Sequence, residues 1–226
     1  MTSSGGMPSP AMFVTPTPPS EDPTAPRFVL QKHWARSLHY DFRLEIGGRL
    51  VSWAVPKGPS LDPKARRLSV RMPDHPLSYA LFEGTIPKGE YGAGTVMIWD
   101  AGAYTPLRPA HVSAERWLDR GYLKFILHGI KLRGLWEMVR YRADSVAKET
   151  WLWVKIHDRF AEAGYDPDRA PLSAVSGRTV EEIRGAEAIS ILPPHEQPLE
   201  AWGRPCAEDS FDLHDAHRPK KVAPLA

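Results

Sequence analysis

The chain has 226 residues, of which 42% are apolar, enough for the core of one ordinary domain flanked by tails. The formal net charge is only +2, so overall charge alone points to no partner, and the single cysteine, Cys206, excludes an internal disulfide, as expected in a reducing compartment. No apolar run approaches the ~20 residues that span a bilayer, and MTSSGGMPSP lacks the basic and apolar regions of a secretory signal, so the expectation is a cytoplasmic protein with no membrane partner.

Residues 1–26 hold seven Pro among Ser, Thr and Gly and read as a disordered Pro-rich arm. One domain over 27–185 follows. Its first part is basic: residues 27–72 hold ten Lys/Arg and three Asp/Glu, a local net of +7 that leaves −5 elsewhere. Such a segment suits phosphate binding and equally suits a solvated face. The first predicted strand is 27–32. The clearest is 38–45, where Leu38, Tyr40, Phe42 and Leu44 alternate with His39, Asp41, Arg43 and Glu45, the period-two signature of a strand with one apolar and one polar face. Gly47-Gly48 reads as a hairpin turn into a strand at 49–55. Further strands are predicted at 67–72, 95–99, 122–128, 135–141 and 151–157, with Gly or Pro in most gaps. Helical signals are few: 113–120 is one short candidate, and Thr179-Val180-Glu181-Glu182 is a capping box that opens another. Residues 186–226, with six more Pro, read as a polar Pro-rich tail. The pattern predicts a mainly β domain, an antiparallel barrel or sandwich with a few short helices.

The polar face of 38–45 carries the chemistry. His39, Asp41 and Arg43 leave one face of the strand at intervals of ~7 Å. An imidazole and a carboxylate so placed can reach one metal ion, and the neighbouring guanidinium can grip a phosphate oxygen. His33, six residues earlier, is a candidate third ligand, and two His with one carboxylate leave open coordination positions. That donor set suits Mn²⁺ or Zn²⁺ better than Ca²⁺. Alternation alone fits a solvated face with an ordinary Asp41–Arg43 pair better than it fits a site. In Asp74-His75-Pro76-Leu77-Ser78-Tyr79, His75 and Tyr79 converge if the chain turns after Pro76, and either can donate to a phosphate; His75 can instead protonate a leaving alkoxide. Residues 83–94 hold four Gly but lack the Gly-Lys-Ser/Thr ending of a phosphate-binding loop, and read as a tight connection. Lys57 and Arg67 are candidate contacts to backbone phosphates.

Five motifs in order then resemble a known family: Gln31-Lys32-His33; Leu38 through Glu45; Ser52-Trp53-Ala54-Val55-Pro56-Lys57-Gly58-Pro59-Ser60; Asp74-His75-Pro76-Leu77; and Glu83 through Gly94. Together they resemble the 3′-phosphoesterase module of bacterial DNA ligase D, with weaker likeness near 135–140 and 151–161 and at Ser176-Gly177-Arg178-Thr179. The resemblance implies a β-barrel core and a divalent metal, usually manganese. It also implies removal of a 3′ phosphate, and of a 3′-terminal ribonucleotide, at primer–template ends before DNA repair by end joining. It implies that His33, His39 and Asp41 hold the metal, that Arg43, His75 and Tyr79 bind the scissile phosphate, and that Gln31, Lys57 and Arg67 support the site or the strand. Expected partners are DNA or DNA/RNA 3′ ends and a separate ligase, polymerase or Ku-like end-binding protein. The chain departs from the family pattern at Ala11-Met12-Phe13, where an Arg-Asp-Phe segment is usual, and at Pro73, where an acidic residue is usual; both departures bear on ribonucleotide removal. Two other readings compete. A non-catalytic DNA-end-binding module needs only the basic segment and aromatics. A non-haem iron oxygenase would pair His39 and Asp41 with His128, with Arg140 anchoring an oxo-acid.

Overall fold

The computed structural model describes residues 25–143 and 149–186; the predicted Pro-rich arm and tail lie outside these residues except for 25, 26 and 186. Among the described residues the strands are β1 (Arg27–Trp34), β2 (Leu38–Ile46), β3 (Arg49–Val55), β4 (Arg66–His75), β5 (Gly84–Ile86), β6 (Gly94–Pro106), β7 (Tyr122–Gly129), β8 (Arg133–Ala143) and β9 (Glu149–Lys155). Two short helices, α1 (Ala114–Asp119) and α2 (Val180–Gly185), and single 3₁₀ turns at Leu77–Leu81 and Pro167–Arg169 complete the set. No helix among the described residues is long and apolar enough to cross a membrane.

Eight strands close a barrel in the order β1-β2-β3-β4-β9-β8-β7-β6 and back to β1, and β5 pairs only with the start of β6. Every pairing is antiparallel. Closure depends on the length of β6, which pairs with β1 over Thr95–Ala103 and with β7 over Gly102–Pro106. The expected β2–β3 hairpin is present: Ile46 faces Arg49 across a two-residue turn, with Gly47 at φ 60° and Gly48 at φ 75°, the positive values that suit the right-handed strand twist.

Period two sorts each strand into an inner and an outer set. Phe28, Leu30, Tyr40, Phe42, Leu44, Val51, Trp53, Met97, Trp99, Phe125, Trp136 and Trp153 point inward and form the main core. Phe42 stacks on Trp153 with ring centroids 4.3 Å apart, and Trp53 meets Trp151 edge-on at 5.6 Å. Each such fully buried aromatic contributes about 1.5–3 kcal/mol. The helices sit at opposite ends of the barrel. Trp117 of α1 enters the core near the Gly47 turn, and Ile183 of α2 enters it near Thr95. Both helix starts follow the sequence signal: Ser113 caps α1, and Thr179 with Glu182 forms the full capping box of α2. A second, smaller apolar cluster lies on the outer face, where Val29, Leu50, Ile98 and Ala101 meet Ala80 and Tyr79 of the Leu77–Leu81 turn. This patch fastens the segment after β4 onto the outside of the barrel.

Candidate active site

The outer faces of β1 and β2 are in register. Gln31 lies opposite Asp41, and His33 opposite His39. The predicted polar stripe therefore gains two residues from the neighbouring strand, and it is not a solvated face: Arg43 is 3% exposed and Asp41 7%. It forms the floor of a groove of about 1460 Å³ whose walls are the Trp34–Ser37 turn, His75 and Tyr79, and the Lys88–Gly94 loop.

His33, His39 and Asp41 offer ligand atoms that all lie within 4.8 Å of one another, a group able to hold a metal ion. His33 Nε2 is 2.9 Å from the Gly92 carbonyl and His39 Nδ1 is 3.0 Å from the Ser37 carbonyl. A carbonyl only accepts, so each ring donates there and turns its other nitrogen toward Asp41, Nδ1 of His33 at 3.5 Å from Oδ2 and Nε2 of His39 at 3.6 Å from Oδ1. Two imidazole lone pairs face one carboxylate, and a backbone carbonyl behind each ring fixes its tautomer and orientation, as metal-ligating histidines require. Burial alone would raise the Asp41 carboxyl, but the contact with His33 and the charge of the Arg43 guanidinium hold it below the usual carboxylate range. It is ready to ligate as an anion.

Arg43 organises the other half. Its Nε donates to Gln31 Oε1 at 2.8 Å, Nη1 to Ser52 Oγ at 2.8 Å and to His75 Nδ1 at 3.0 Å, and Nη2 to Asp41 Oδ2 at 3.1 Å. Gln31, fully buried, donates in turn to the carbonyls of Tyr79 and Phe82. The guanidinium lies 5.0 Å from the Tyr79 ring, and Tyr79 packs beside His75 with centroids 4.7 Å apart. Because Arg43 can only donate, His75 Nδ1 accepts and the ring proton sits on Nε2. Burial and the Arg43 charge lower the His75 pKa, outweighing Asp41 and the Pro73 carbonyl, so the ring is neutral. Burial raises the Tyr79 pKa against the pull of Arg43, so it remains a phenol able to donate.

A β-bulge puts His75 on this face. β3 and β4 pair Ser52 with Met72 but Leu50 with His75, so two residues of β3 oppose three of β4 across that step. Without the extra residue Asp74 would face the groove; with it, Asp74 turns away to pair with Arg49 and Arg71. Pro73, which has no N–H to give a ladder, lies within the bulge. On the opposite wall, Gly94 (φ 141°) passes so close to β1 that a Cβ would sit 2.4 Å from the Trp34 carbonyl oxygen, so only glycine brings this loop near enough for Gly92 to meet His33.

Seven of the nine predicted site residues thus converge: Gln31, His33, His39, Asp41, Arg43, His75 and Tyr79. Lys57 and Arg67 do not line the groove. They lie at the same barrel end, Lys57 in the exposed turn after β3 and Arg67 near the start of β4 beside Trp153. His128 does not join the metal group; its Nε2 is 2.9 Å from Thr105 Oγ1 on β6. Arg140 is tied to the end of α1 through the Leu118 and Asp119 carbonyls. The four-residue constellation expected of an oxygenase is therefore not assembled. Residues to which sequence reasoning gave no role include Ser52, which opens one of the five motifs and lies opposite Arg43, and Tyr91, Lys88 and Arg184, which line the groove. Glu83 is fully buried and accepts from Ile98 N, Ser173 Oγ, Ser176 Oγ and Arg178 Nη2. Those bonds explain why Ser176-Gly177-Arg178-Thr179 is recognisable together with Glu83: the two segments are one polar cluster that seats α2.

Residues 31–140, which hold all of these predicted site residues, match the DNA ligase D 3′-phosphoesterase domain. The chain belongs to that family. It is 46% identical over 171 residues to the multifunctional non-homologous end joining protein LigD of Pseudomonas aeruginosa, covering 74% of this chain and 20% of that protein. It is 39% identical over 164 residues to the multifunctional non-homologous end joining DNA repair protein LigD of Mycobacterium tuberculosis, covering 71% and 20%. It is 41% identical over 172 residues to the corresponding protein of Mycolicibacterium smegmatis, covering 72% and 21%. The chain thus spans about a fifth of the length of these relatives.

Proposed function

We propose that this 3′-phosphoesterase domain is a divalent-metal-dependent hydrolase that clears 3′ ends of nucleic acid. It removes a 3′ phosphate and, as a second activity, a 3′-terminal ribonucleotide, leaving the 3′ hydroxyl that end joining needs. The observation that carries this reading is the shared outer face. The His33, His39 and Asp41 donor atoms and the Arg43 fork lie side by side on the floor of one open groove, so one phosphoryl group can be engaged by both.

His33 Nδ1, His39 Nε2 and an Asp41 oxygen would hold the ion, which the family resemblance names as manganese; the mixed imidazole–carboxylate donor set suits it. When bound, such an ion supplies Lewis acidity toward a phosphoryl oxygen and acidifies a water. The protein residues supply the rest. Arg43 commits four of its five N–H groups to protein partners, which leaves one on Nη2 for a phosphoryl oxygen. His75 donates from Nε2 and Tyr79 from its hydroxyl as negative charge builds on the remaining oxygens. A neutral imidazole is a poor proton source for a leaving alkoxide, so His75 belongs to this clamp and the 3′ oxygen takes its proton from water. Gln31 positions Arg43 and Tyr79 without touching the phosphate. Lys57 and Arg67, outside the groove, contact the nucleic-acid strand beyond it. A ligase, a polymerase or a Ku-like end-binding protein would supply or receive the ends.

The test is a timed digestion of a labelled primer–template ending in a 3′ phosphate or a single 3′ ribonucleotide, with manganese, with EDTA, and with Asp41→Ala. Manganese-dependent loss of the phosphate that Asp41→Ala abolishes is the expected result. Intact ends with the primer–template still bound would replace this reading with a non-catalytic end-binding module.

A further inference from the structure

The phosphate clamp occupies a small part of the groove. Ligand pockets for one drug-sized molecule run roughly 300–1,000 Å³, and this groove reaches about 1460 Å³. Its extra length continues past His33 and His39 toward the α2 end of the barrel, where Trp34, Arg36, Thr95 and Arg184 line it. Arg36 comes from the β1–β2 turn, Lys88 from the loop after β5 and Arg184 from α2. All three are exposed, and none makes an ion pair with another described residue. Together with Arg43 they set four cations against two carboxylates, Asp41 and Glu90, along the groove.

Arg184 and Lys88 sit on anchored chain. Ile183, the residue before Arg184, is buried in the barrel core, the capping box fixes the start of α2, and Arg184 Nε reaches Thr95 Oγ1 at 3.5 Å. Lys88 and Tyr91 ride on two successive tight turns, Glu90 N to Pro87 O and Ala93 N to Glu90 O. The His33–Gly92 hydrogen bond ties that loop to the metal group. Tyr91 is 77% exposed, yet it lines the groove and its phenol is close enough to act electrostatically on Arg43 and Tyr79. An exposed ring held beside a phosphate clamp, with exposed cations lining the same groove, is the combination that binds single-stranded nucleic acid without reading sequence: stacking for the base, charge for the backbone.

We propose that the groove is a single-strand track. Tyr91 stacks on the 3′-terminal base, and Arg36, Lys88 and Arg184 pair with the phosphodiesters upstream of it. This rests on the reading of the clamp as the seat of a 3′-terminal phosphate and extends it to the strand that follows. No residue of the track is needed to hold the metal.

The experiment measures binding rather than turnover, so it stands apart from the hydrolysis assay. Fluorescence anisotropy in EDTA follows 3′-phosphorylated oligodeoxynucleotides and oligoribonucleotides of one to eight residues, over a range of salt. Affinity should climb as upstream nucleotides are added and then level off. Each phosphate pairing adds about 0.7 to the slope of log affinity against log salt, so Arg36→Ala, Lys88→Ala and Arg184→Ala should together lower that slope by about 2. Tyr91→Ala should weaken binding about tenfold, equivalent to about 1.4 kcal/mol, and have no effect on an oligonucleotide whose terminal residue is abasic. Tyr91→Phe should bind as the parent does. Arg66→Ala, at an exposed β4 position outside the groove, should leave the slope unchanged. Affinity already complete at one nucleotide, an unchanged slope in the triple variant, or an equal drop with Arg66→Ala would each overturn the track. Normal track binding without manganese-dependent hydrolysis would sink the phosphoesterase reading and leave the track standing.

Discussion

Replacing Arg43 by Lys keeps the charge and removes the fork. The guanidinium makes four hydrogen bonds from three nitrogens, at 2.8–3.1 Å, to Gln31, Ser52, His75 and Asp41. An ammonium carries its donors on one atom and cannot reach acceptors spread around a plane. If the substituted ammonium keeps Asp41 and one neighbour, two bonds to a charged donor are lost at about 1.5–3 kcal/mol each. The site is buried, so solvent does not soften the loss, and folding stability should fall by about 3–6 kcal/mol. The same change removes the donor that remains for the phosphoryl group. Loss of one such donor in other hydrolases costs about 10²–10³ in kcat, and a comparable fall is expected here with a smaller change in KM. Urea unfolding in EDTA reads the first effect. Steady-state hydrolysis of a 3′-phosphorylated oligonucleotide, corrected for the folded fraction, reads the second. A variant with an unchanged unfolding midpoint and kcat within about threefold of the parent would refute the idea that Arg43 organises the site.

Three further outcomes are expected. His75 has a lowered pKa in the folded chain, so on acidification the unfolded chain takes up that proton first. The stability this group contributes is full above about pH 6.5 and is lost as pH falls through its lower folded value. The gap in unfolding free energy between the parent and His75→Asn should therefore narrow from pH 8 to pH 5 in EDTA, and a gap that stays constant would contradict the neutral assignment. Manganese at about one hundred times its Kd should stabilise the parent by about 2.7 kcal/mol; calorimetry should show that increment absent from His33→Ala, and its survival would remove His33 from the ligand set. Glu83→Gln exchanges an acceptor ringed by four donors for a group that is half donor. A loss of about 2–3 kcal/mol is expected, with full hydrolytic activity in the molecules that remain folded, and an unperturbed melting curve would show the polar cluster to be dispensable.

The alternation of 38–45 and the double glycine at 47–48 were enough to place β2 and its hairpin, because both are local signals. The capping box at Thr179 placed α2 for the same reason. The strand predicted at 95–99 is in fact 13 residues long. The apolar pattern breaks at Asp100, which is buried because Ile130, Lys131 and Leu132 give it their backbone N–H groups, and at Gly102, where the partner strand leaves no room for a Cβ. Pairing carried the strand through both. β4 likewise extends past the predicted 67–72 because a bulge accommodates Pro73, and β5 reads as loop because three residues on one edge of β6 have no periodicity to show. The juxtaposition of His33, His39 and Asp41 was legible because all three come from one hairpin and strand spacing fixes their mutual reach. Its burial was not legible. That depends on the Leu77–Leu81 turn and the Gly92 loop folding over an outer face, and no local pattern reports such cover. Arg184, distant in sequence, arrives beside the groove only because Glu83 and Arg178 seat the segment before it.

The β2 strand carries two interleaved texts. Tyr40, Phe42 and Leu44 belong to the core, while His39, Asp41 and Arg43 belong to the groove. Substitutions can rewrite either text while leaving the other readable, since neighbouring residues face opposite sides of the wall. Core positions can drift among shapes of equal volume with no effect on chemistry, and changes at the outer positions leave the aromatic packing in place even where, as at Arg43, they cost hydrogen bonds. A frame error is different in kind. One residue inserted or deleted between Leu38 and Leu44 would send imidazole, carboxylate and guanidinium into the aromatic interior and turn Phe42 out to the groove, losing fold and reaction in one step. Length, more than identity, is what lineages sharing this barrel should hold constant along that strand.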